Sequence, residues 1–361
     1  MRFDVEMLIY AYMFICVSLL GFNLLYIASA GGKKRRQVRR TRRWEREIRT
    51  QMNADRVSDQ HLKKMERKLR RINTLIAYQT ALETIQSEGK TQQVETYLLQ
   101  TGRCFQALAA VYAGRDSMER SYFAWVLAED RPNWREKHMI CEIMMGYLED
   151  STVYCRENVL RALYGFGSVD AVEQALQFME DREIFHHPKL LSDGLAGFTG
   201  DKQQLAWRLW SHLDAWSAAR MVATVQFAMG VSDAFCAPFL QALQRQTLDL
   251  EVRLAILRYF RRYVYRPAAP LLRQYAAEHD GEELAIVAAS VLERYPGKET
   301  MQTLERALCS SNWYVRSNAA VSLIGLEIGQ DEIDDIIHGP DRYAGEMLAY
   351  QLKQAGKEER A

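Results

Sequence analysis

What the sequence lacks narrows the reading first. Its six cysteines (Cys16, Cys104, Cys141, Cys155, Cys236 and Cys309) form no CxxC pair and no spacing of a zinc site or a secreted disulfide framework. They read as small buried hydrophobes in a reducing compartment. Seven prolines and twenty glycines in 361 residues are too few for a sheet-rich chain with many tight turns, while Ala, Leu, Arg, Glu and Gln recur throughout. That balance predicts an all-α fold. There is no glycine-rich phosphate loop: Pro296-Gly297-Lys298-Glu299-Thr300 has a Gly-Lys pair but neither the upstream glycine nor the preceding strand, and reads as a turn. No GxSxG elbow and no HExxH pair occurs. His186-His187 precedes Pro188 with no ligand partner at the right spacing, and His61, His138, His212, His279 and His338 stand singly. The expectation is a chain with no catalytic residue, no metal, no cofactor and no small-molecule substrate, hence not an enzyme.

A net charge of +1 conceals a strong division. Lys33 to Arg71 holds 17 Lys/Arg against 5 Asp/Glu, which leaves residues 74–361 at −10, so a basic neck joins an acidic body. Ahead of the neck, Met7 to Ile27 is 21 residues without a charge. At about 1.5 Å per residue such a helix spans ~31 Å, close to the ~30 Å bilayer core. Ser18 and Asn23 are its clearly polar side chains, able to face a partner helix. Ala28-Ser29-Ala30 has the form of a signal-peptide cleavage site. Two features oppose cleavage: Met1 to Glu6 carries two acids and one Arg, and Lys33, Lys34, Arg35, Arg36, Arg39, Arg40, Arg42 and Arg43 crowd just after the apolar run. Basic flanks stay cytosolic, so the run is expected to be an uncleaved single-pass anchor in the cytoplasmic (inner) membrane, N-terminus outside and the remainder in the cytosol. The eight cations are the expected contact with anionic lipid headgroups, each contributing on the order of 1 kcal/mol. A high density of charge continues from Trp44 to Arg71 around a sparse apolar stripe (Ile48, Met52, Leu62, Met65, Leu69, Ile72), expected as a solvated helical spacer.

The body repeats. Six segments align on Arg156, Lys189, Arg220, Arg253, Ala285 and Arg316, at spacings of 33, 31, 33, 32 and 31 residues. One residue before each stand Cys155, Pro188, Ala219, Val252, Leu284 and Val315; three after, Val159, Ser192, Ala223, Ile256, Ala288 and Ala319; seven after, Leu163, Ala196, Phe227, Phe260, Leu292 and Leu323. These offsets lie along one side of a helix, and short side chains at the middle offset allow close approach of a neighbour. Gly167, Gly200, Gly230, Gly297 and Gly329 are expected to end this helix in five units, with a second amphipathic helix following, as in Met301 to Leu308. Each unit is then a helical hairpin that hides its apolar faces only by stacking on its neighbours.

Asn312-Trp313-Tyr314-Val315-Arg316-Ser317-Asn318-Ala319-Ala320-Val321-Ser322-Leu323 resembles the HEAT-repeat signature, and Asp249-Leu250-Glu251-Val252-Arg253 its opening. Thr152 to Leu176 resembles the short bacterial variant first described in phycobilin lyases. The resemblance covers residues 150–330 well and 74–149 loosely. It implies an α-solenoid, and an inter-repeat ladder in which Arg156, Arg220, Arg253 and Arg316 bond the turn of a neighbouring unit. Lys189 and Ala285 interrupt that ladder. The expected organisation is an anchor over 1–32, a basic juxtamembrane neck over 33–73, irregular helical units over 74–149, HEAT-like repeats over 150–338, and a C-terminal cap and polar tail over 339–361.

Two segments are candidate partner surfaces. Trp207 and Trp210 share a helical face near Trp216, where aromatic anchors could dock a partner or fill the core. Arg258 to Arg266 interleaves aromatics with four arginines, so Arg258, Arg261, Arg262, Tyr265 and Arg266 could form an exposed basic patch or a solvated helix end. The function expected is a membrane-anchored scaffold binding a membrane protein or a subunit of a membrane complex. Analogy with anchored members of the family suggests a polysaccharide glycosyltransferase or an export assembly. Alternatives are a lipid or nucleic-acid sensor acting through the neck, or a HEAT-fold enzyme similar to bilin lyases or DNA glycosylases. The acidic body opposes the glycosylase, so nucleic acid is not the expected partner.

Overall fold

The computed structural model describes residues 5–130, 134, 137–245, 247–277 and 281–358. Side chains of residues 5, 6, 8, 24–30, 357 and 358 lie outside the description, as do His279, Arg135 and Ala361 altogether. Every regular element among the described residues is helical. The chain divides into two compact units, Met1–Ala171 and Val172–Ala361.

In the first unit, α1 (Val5–Met52) is one uninterrupted helix, with no break between the expected anchor and neck. It is followed by α2 (Asp59–Leu69), α3 (Ile72–Ser87), α4 (Thr91–Leu99), α5 (Gly102–Ala113), α6 (Ser117–Asp130), α7 (Lys137–Met145) and α8 (Val153–Phe166). The expected solvated spacer is corrected here. Trp44 and Ile48 on α1 and His61, Met65 and Leu69 on α2 are buried, and α1 packs along α3. Trp44 meets Tyr78 edge-on at 5.4 Å and His61 at 6.0 Å. A stripe that looks sparse beside so much charge is a complete seam because the charges lie on the other face. Arg49 closes the contact by bonding both Glu88 oxygens, at 2.9 and 2.6 Å.

Helix α9 (Val169–Asp181) carries the chain from the first unit into the second, which continues through α10 (Pro188–Ala196), α11 (Lys202–Trp210), α12 (Ala218–Val231), α13 (Cys236–Leu243), α14 (Leu250–Arg262), α15 (Ala269–Ala277), α16 (Glu282–Val291), α17 (Lys298–Leu308), α18 (Trp313–Gly325), α19 (Gln330–Ile337) and α20 (Arg342–Glu358). All six anchor positions fall in the first turns of their helices, α8, α10, α12, α14, α16 and α18. Val159, Ala223, Ile256, Ala288 and Ala319 are buried, as the register requires. The second segment departs from it. Pro188 occupies the first position of α10 and His187 caps it, its Nδ1 accepting the Lys189 amide at 3.1 Å. The helix therefore starts later, and Leu195 takes the core place expected of the exposed Ala196.

The phase of the hairpins also differs from expectation. The close antiparallel pairs are α11 with α12, α13 with α14, α15 with α16, α17 with α18 and α19 with α20. The Val-Arg helix is thus the second arm of its hairpin. The reason lies in the caps: Asp249 accepts the Glu251 amide at 2.9 Å, and Asn312 accepts those of Tyr314 and Val315, so both start a helix straight out of a short turn. Of the five glycines expected to end a helix, Gly167 does so, in the left-handed conformation (φ 67°) that favours glycine. Gly230 lies inside α12, Gly200 in the link before α11, and Gly297 and Gly329 start α17 and α19.

Successive second arms pack in order, α10 on α12, α12 on α14, α14 on α16, α16 on α18 and α18 on α20, as the hairpins of an α-solenoid do. Between them runs a set of tyrosine pins. Tyr259 and Tyr263 of the α13–α14 hairpin donate to the carbonyls of Ser232 and Met229 at the end of α12, at 2.7 and 3.0 Å. Tyr275 donates to Leu243 at the end of α13, and Tyr295 to Phe260 near the end of α14. The last carbonyls of a helix have no intrahelical partner, and where hairpins stack the next one supplies a phenol. The first unit uses the same device, Tyr112 bonding the Leu69 carbonyl and Tyr147 that of Ala109.

Burial raises the Tyr295 phenol to about 12. Its contribution is therefore present below the ordinary phenol value of about 10 and is lost as pH rises through about 12. Tyr295→Phe, which strands both the Phe260 carbonyl and the Tyr265 amide that bonds the same hydroxyl at 3.1 Å, is expected to cost about 1–3 kcal/mol in urea unfolding at neutral pH. Trp44→Ala is expected to cost about 3–5 kcal/mol and to loosen α1 from α3, read as faster hydrogen exchange across residues 44–52.

Candidate functional site

The first candidate surface is the neck. Lys33, Lys34, Arg35, Arg36, Arg39, Arg40, Arg42 and Arg43 are all exposed along the middle of α1. Just beyond them a cleft of about 210 Å³ opens between α1 and α2, lined by Arg40, Arg43, Lys64, Lys68 and Arg71 around Trp44 and Glu47. Glu47 is its one carboxylate; burial would raise it, but hydrogen bonds from Lys64 (2.6 Å) and Arg43 (3.1 Å) hold it below the usual carboxylate range. Five cations against one acid give the cleft a basic lining. Lys64, Lys68 and Arg71 did not stand out individually in the sequence. Their signal is spacing: Lys64 and Lys68, one turn apart on α2, flank the buried His61, Met65 and Leu69, and Arg71 follows in the link to α3.

The uncharged run on the same helix is bare. Met7, Tyr10, Tyr12, Phe14, Val17, Leu20 and Phe22 are each at least 65% exposed, and they point to all sides of α1. No helix among the described residues is long and apolar enough to cross a membrane. Within the uncharged run, the described side chains are Met7 and residues 9–23; the side chains of residues 8 and 24–27 lie outside the description, although the helix runs through them.

In the second unit the aromatic candidates separate. Trp210 is buried against Phe239 at 4.6 Å, and Trp216 is buried with its indole N–H on Gln177 Oε1 at 2.9 Å, so Trp210 is corrected from partner anchor to core. Trp207 is 38% exposed and lies over Phe235 at 4.3 Å. The arginine segment also divides. Tyr259 and Phe260 are core, Arg261 is paired with Glu293 at 3.1 Å, Arg262 lies over Tyr263, and Tyr265 stacks on Phe260. Arg258 faces a groove of about 490 Å³ formed on α10, α12 and α14, with Lys189, Asp193, Lys202, Gln226 and Met229. Lys189 is bound to Asp193 at 2.7 Å and Lys202 to the Ala196 carbonyl, which leaves Arg258 as the groove's cation with no ion pair among the described residues. Arg266 opens onto a different cavity. A single basic patch is therefore not formed: consecutive arginines on a helix and its following link point to different sides.

The expected arginine ladder is corrected as well. Arg156 and Arg316 clamp the turn ahead of their own helix, bonding the carbonyls of Ser151 and Ser310, both at 2.6 Å. Arg253 lies over the Tyr275 ring at 5.0 Å. Arg220 alone of the four reaches back to an earlier turn, bonding Glu180 and the Ile184 carbonyl. Where these four arginines do not bond the helix-end carbonyls of a neighbouring hairpin, tyrosine hydroxyls do.

No group of three His, Cys, Asp or Glu side chains able to hold a metal occurs among the described residues. Asp130 is the carboxylate furthest from its ordinary state, raised to about 7 by burial, with Gln79 Nε2 at 3.3 Å. It neighbours Glu83 and Glu129, whose charges push it the same way, and no nucleophile bonds it. Comparison with family models and with curated proteins returns no match.

The raised pKa of Asp130 gives a signed expectation. The folded state holds the proton more tightly than the unfolded one, so stability is full below about 3.9 and falls as pH rises through about 7. Asp130→Asn is expected to unfold at higher urea concentration than wild type at pH 8 and at about the same concentration at pH 4.

Proposed function

We propose that the chain is a membrane-anchored scaffold: a HEAT-like stack of helical hairpins, held at the cytosolic face of the inner membrane by a single span of α1, that binds a protein subunit of a membrane complex. The observation that carries this reading is the continuity of α1, in which one rigid helix bears the bare apolar run, then eight exposed cations, then the buried Trp44–Ile48 seam. Apolar side chains facing every direction find a matching solvent only in lipid, and an exposed patch of this extent marks an interaction site in any case. Cations directly after the run fit the cytosolic leaflet and its anionic headgroups, and the cleft formed by Arg40, Arg43, Lys64, Lys68 and Arg71 extends that basic surface onto the body. Because the seam packs the end of α1 into the first unit, that unit is oriented by the bilayer and not merely tethered to it. On this reading the partner of the second unit meets the groove beside Arg258 and Trp207, and an acidic or polar segment of a polysaccharide glycosyltransferase or export subunit is the kind of partner that suits it.

The protein's own cysteines test this. Cys16 lies within the apolar run and Cys309 at the end of α17, both exposed in the structure, whereas Cys104, Cys141 and Cys155 are buried. Burial and then Asp341 raise the Cys309 thiol, so labelling is run at mildly alkaline pH. A membrane-impermeant maleimide is expected to label Cys309 in inverted membrane vesicles and not in right-side-out vesicles, and to label Cys16 in neither until detergent is added. Labelling of Cys16 without detergent would refute the span, and labelling of Cys309 from the outside would refute the orientation. Replacing the eight cations from Lys33 to Arg43 by Gln is expected to weaken binding to anionic over neutral vesicles by at least tenfold at about 0.1 M salt, with little change at 1 M salt.

A further inference from the structure

The cavity onto which Arg266 opens is separate from the cleft beside the neck and from the groove beside Arg258. It has a volume of about 550 Å³ and lies where two links between hairpins meet, residues 263–268 before α15 and 292–297 before α17. Four cations line it from four places in the chain: Arg266 from the first link, Arg273 from α15, Arg294 from the second link and Lys298 from the first position of α17. Arg273 is bound by Glu299 at 2.5 Å; Arg266, Arg294 and Lys298 have no ion pair among the described residues. Their convergence is notable in residues 74–361, which together carry −10.

The start of α17 points the same way. Its cap is Gly297, which has no side chain to bond the first amides and whose φ of +156° disfavours any other residue. The Thr300 and Met301 amides bond the Gly297 carbonyl, at 3.0 and 3.1 Å, so the amides of Lys298 and Glu299 are the ones left for a ligand at the positive end of the helix. Thr300, one turn in, supplies an independent sign. It is 2% exposed, it lines the cavity, and its hydroxyl has no hydrogen-bond partner among the described residues. A hydroxyl that opens on the cavity can bond whatever occupies it. Val264 and Pro296 add an apolar wall beside the charges, in a space much larger than one phosphate group needs.

We propose that this cavity binds an organic phosphate, a phosphomonoester or diphosphate whose anionic head is held by Arg266, Arg294, Lys298 and the Thr300 hydroxyl, and whose organic part rests on Val264 and Pro296. The chemistry is the same for a soluble phosphate ester and for a phosphate-bearing lipid headgroup. It does not depend on the first helix meeting a bilayer. Pro296-Gly297-Lys298-Glu299-Thr300, a plain turn when read alone, becomes one wall of a site when Arg266 and Arg294 close over it.

Binding to the full chain in mild detergent is measured by calorimetry with two probes, inorganic pyrophosphate and micelles doped with phosphatidic acid, each against neutral micelles alone. Three proteins are compared: wild type, Arg294→Ala with Lys298→Ala, and Arg258→Ala as a control outside the cavity. Both altered cavity residues are exposed, and equal thermal melting of the three proteins checks that folding is intact. Saturable pyrophosphate binding that weakens at least tenfold in the double variant and not in the control supports the site and a soluble ligand. The same loss seen only with phosphatidic acid supports the site and a lipid ligand. Binding of either probe that is unchanged in the double variant, or no binding of either, overturns the proposal. Thr300→Val, which keeps the volume and removes the hydroxyl, is expected to weaken whichever probe binds by about three- to tenfold.

Discussion

A short amphipathic helix has one apolar stripe, and a pair of such helices hides only part of what the two present. Everything else in the second unit answers to that limit. Each hairpin must lie against the next, and helices lie close only where the facing side chains are short. Ala223, Ala288 and Ala319 sit buried at that offset, with Ser192 at its counterpart in α10. Close stacking then removes water from helix ends whose carbonyls still need donors, and the tyrosine hydroxyls of the following hairpin meet that need. The pins are thus a consequence of the stacking, and they make it specific, because a phenol reaches its carbonyl only when neighbouring hairpins are in register.

The period and the buried face were legible in the sequence because both follow from helix geometry alone: Val252, Ile256 and Phe260 fall on one side of any helix that contains them, and all three are buried. The phase of the hairpins was not. Gly297 and Gly329 look like helix ends, but a glycine before a helix and one after it read alike in a single sequence, and the Asp249 and Asn312 caps decided which arms pair closely. The seam of Trp44 and Ile48 was hidden for another reason. A dense charge pattern signals exposure of one face and says nothing about the other, and the partners of the seam on α3 lie over thirty positions away. The candidate sites fared by the same logic. Exposure of the eight neck cations follows from their number, whereas the fates of Trp207 and Trp210, or of Arg258 and Arg266, depend on which neighbour each meets. The organic-phosphate cavity joins a link before α15 to a link before α17, a juxtaposition that only the stack produces.

The two units meet different demands. The first binds the end of α1 by an apolar seam and by ion pairs such as Arg49 with Glu88, which water screens in their exposed position; the seam supplies the strength and the charges the direction. The second is built by repetition, and its links, freed from packing, are where unpaired cations gather. On the proposed reading, the first unit addresses lipid and the second a protein partner, with basic surfaces of different construction on each.

The claim on which the account turns is that the second unit is stabilised by contacts between neighbouring hairpins. Urea unfolding of chains shortened from the C-terminus, first by α19–α20 and then by α17–α18, tests it directly. Nearest-neighbour stacking predicts that each shortened chain still unfolds cooperatively, with a lower midpoint and a smaller m-value at each step. Loss of all cooperative unfolding on removal of α19–α20 alone, or a midpoint unmoved by both deletions, would contradict it.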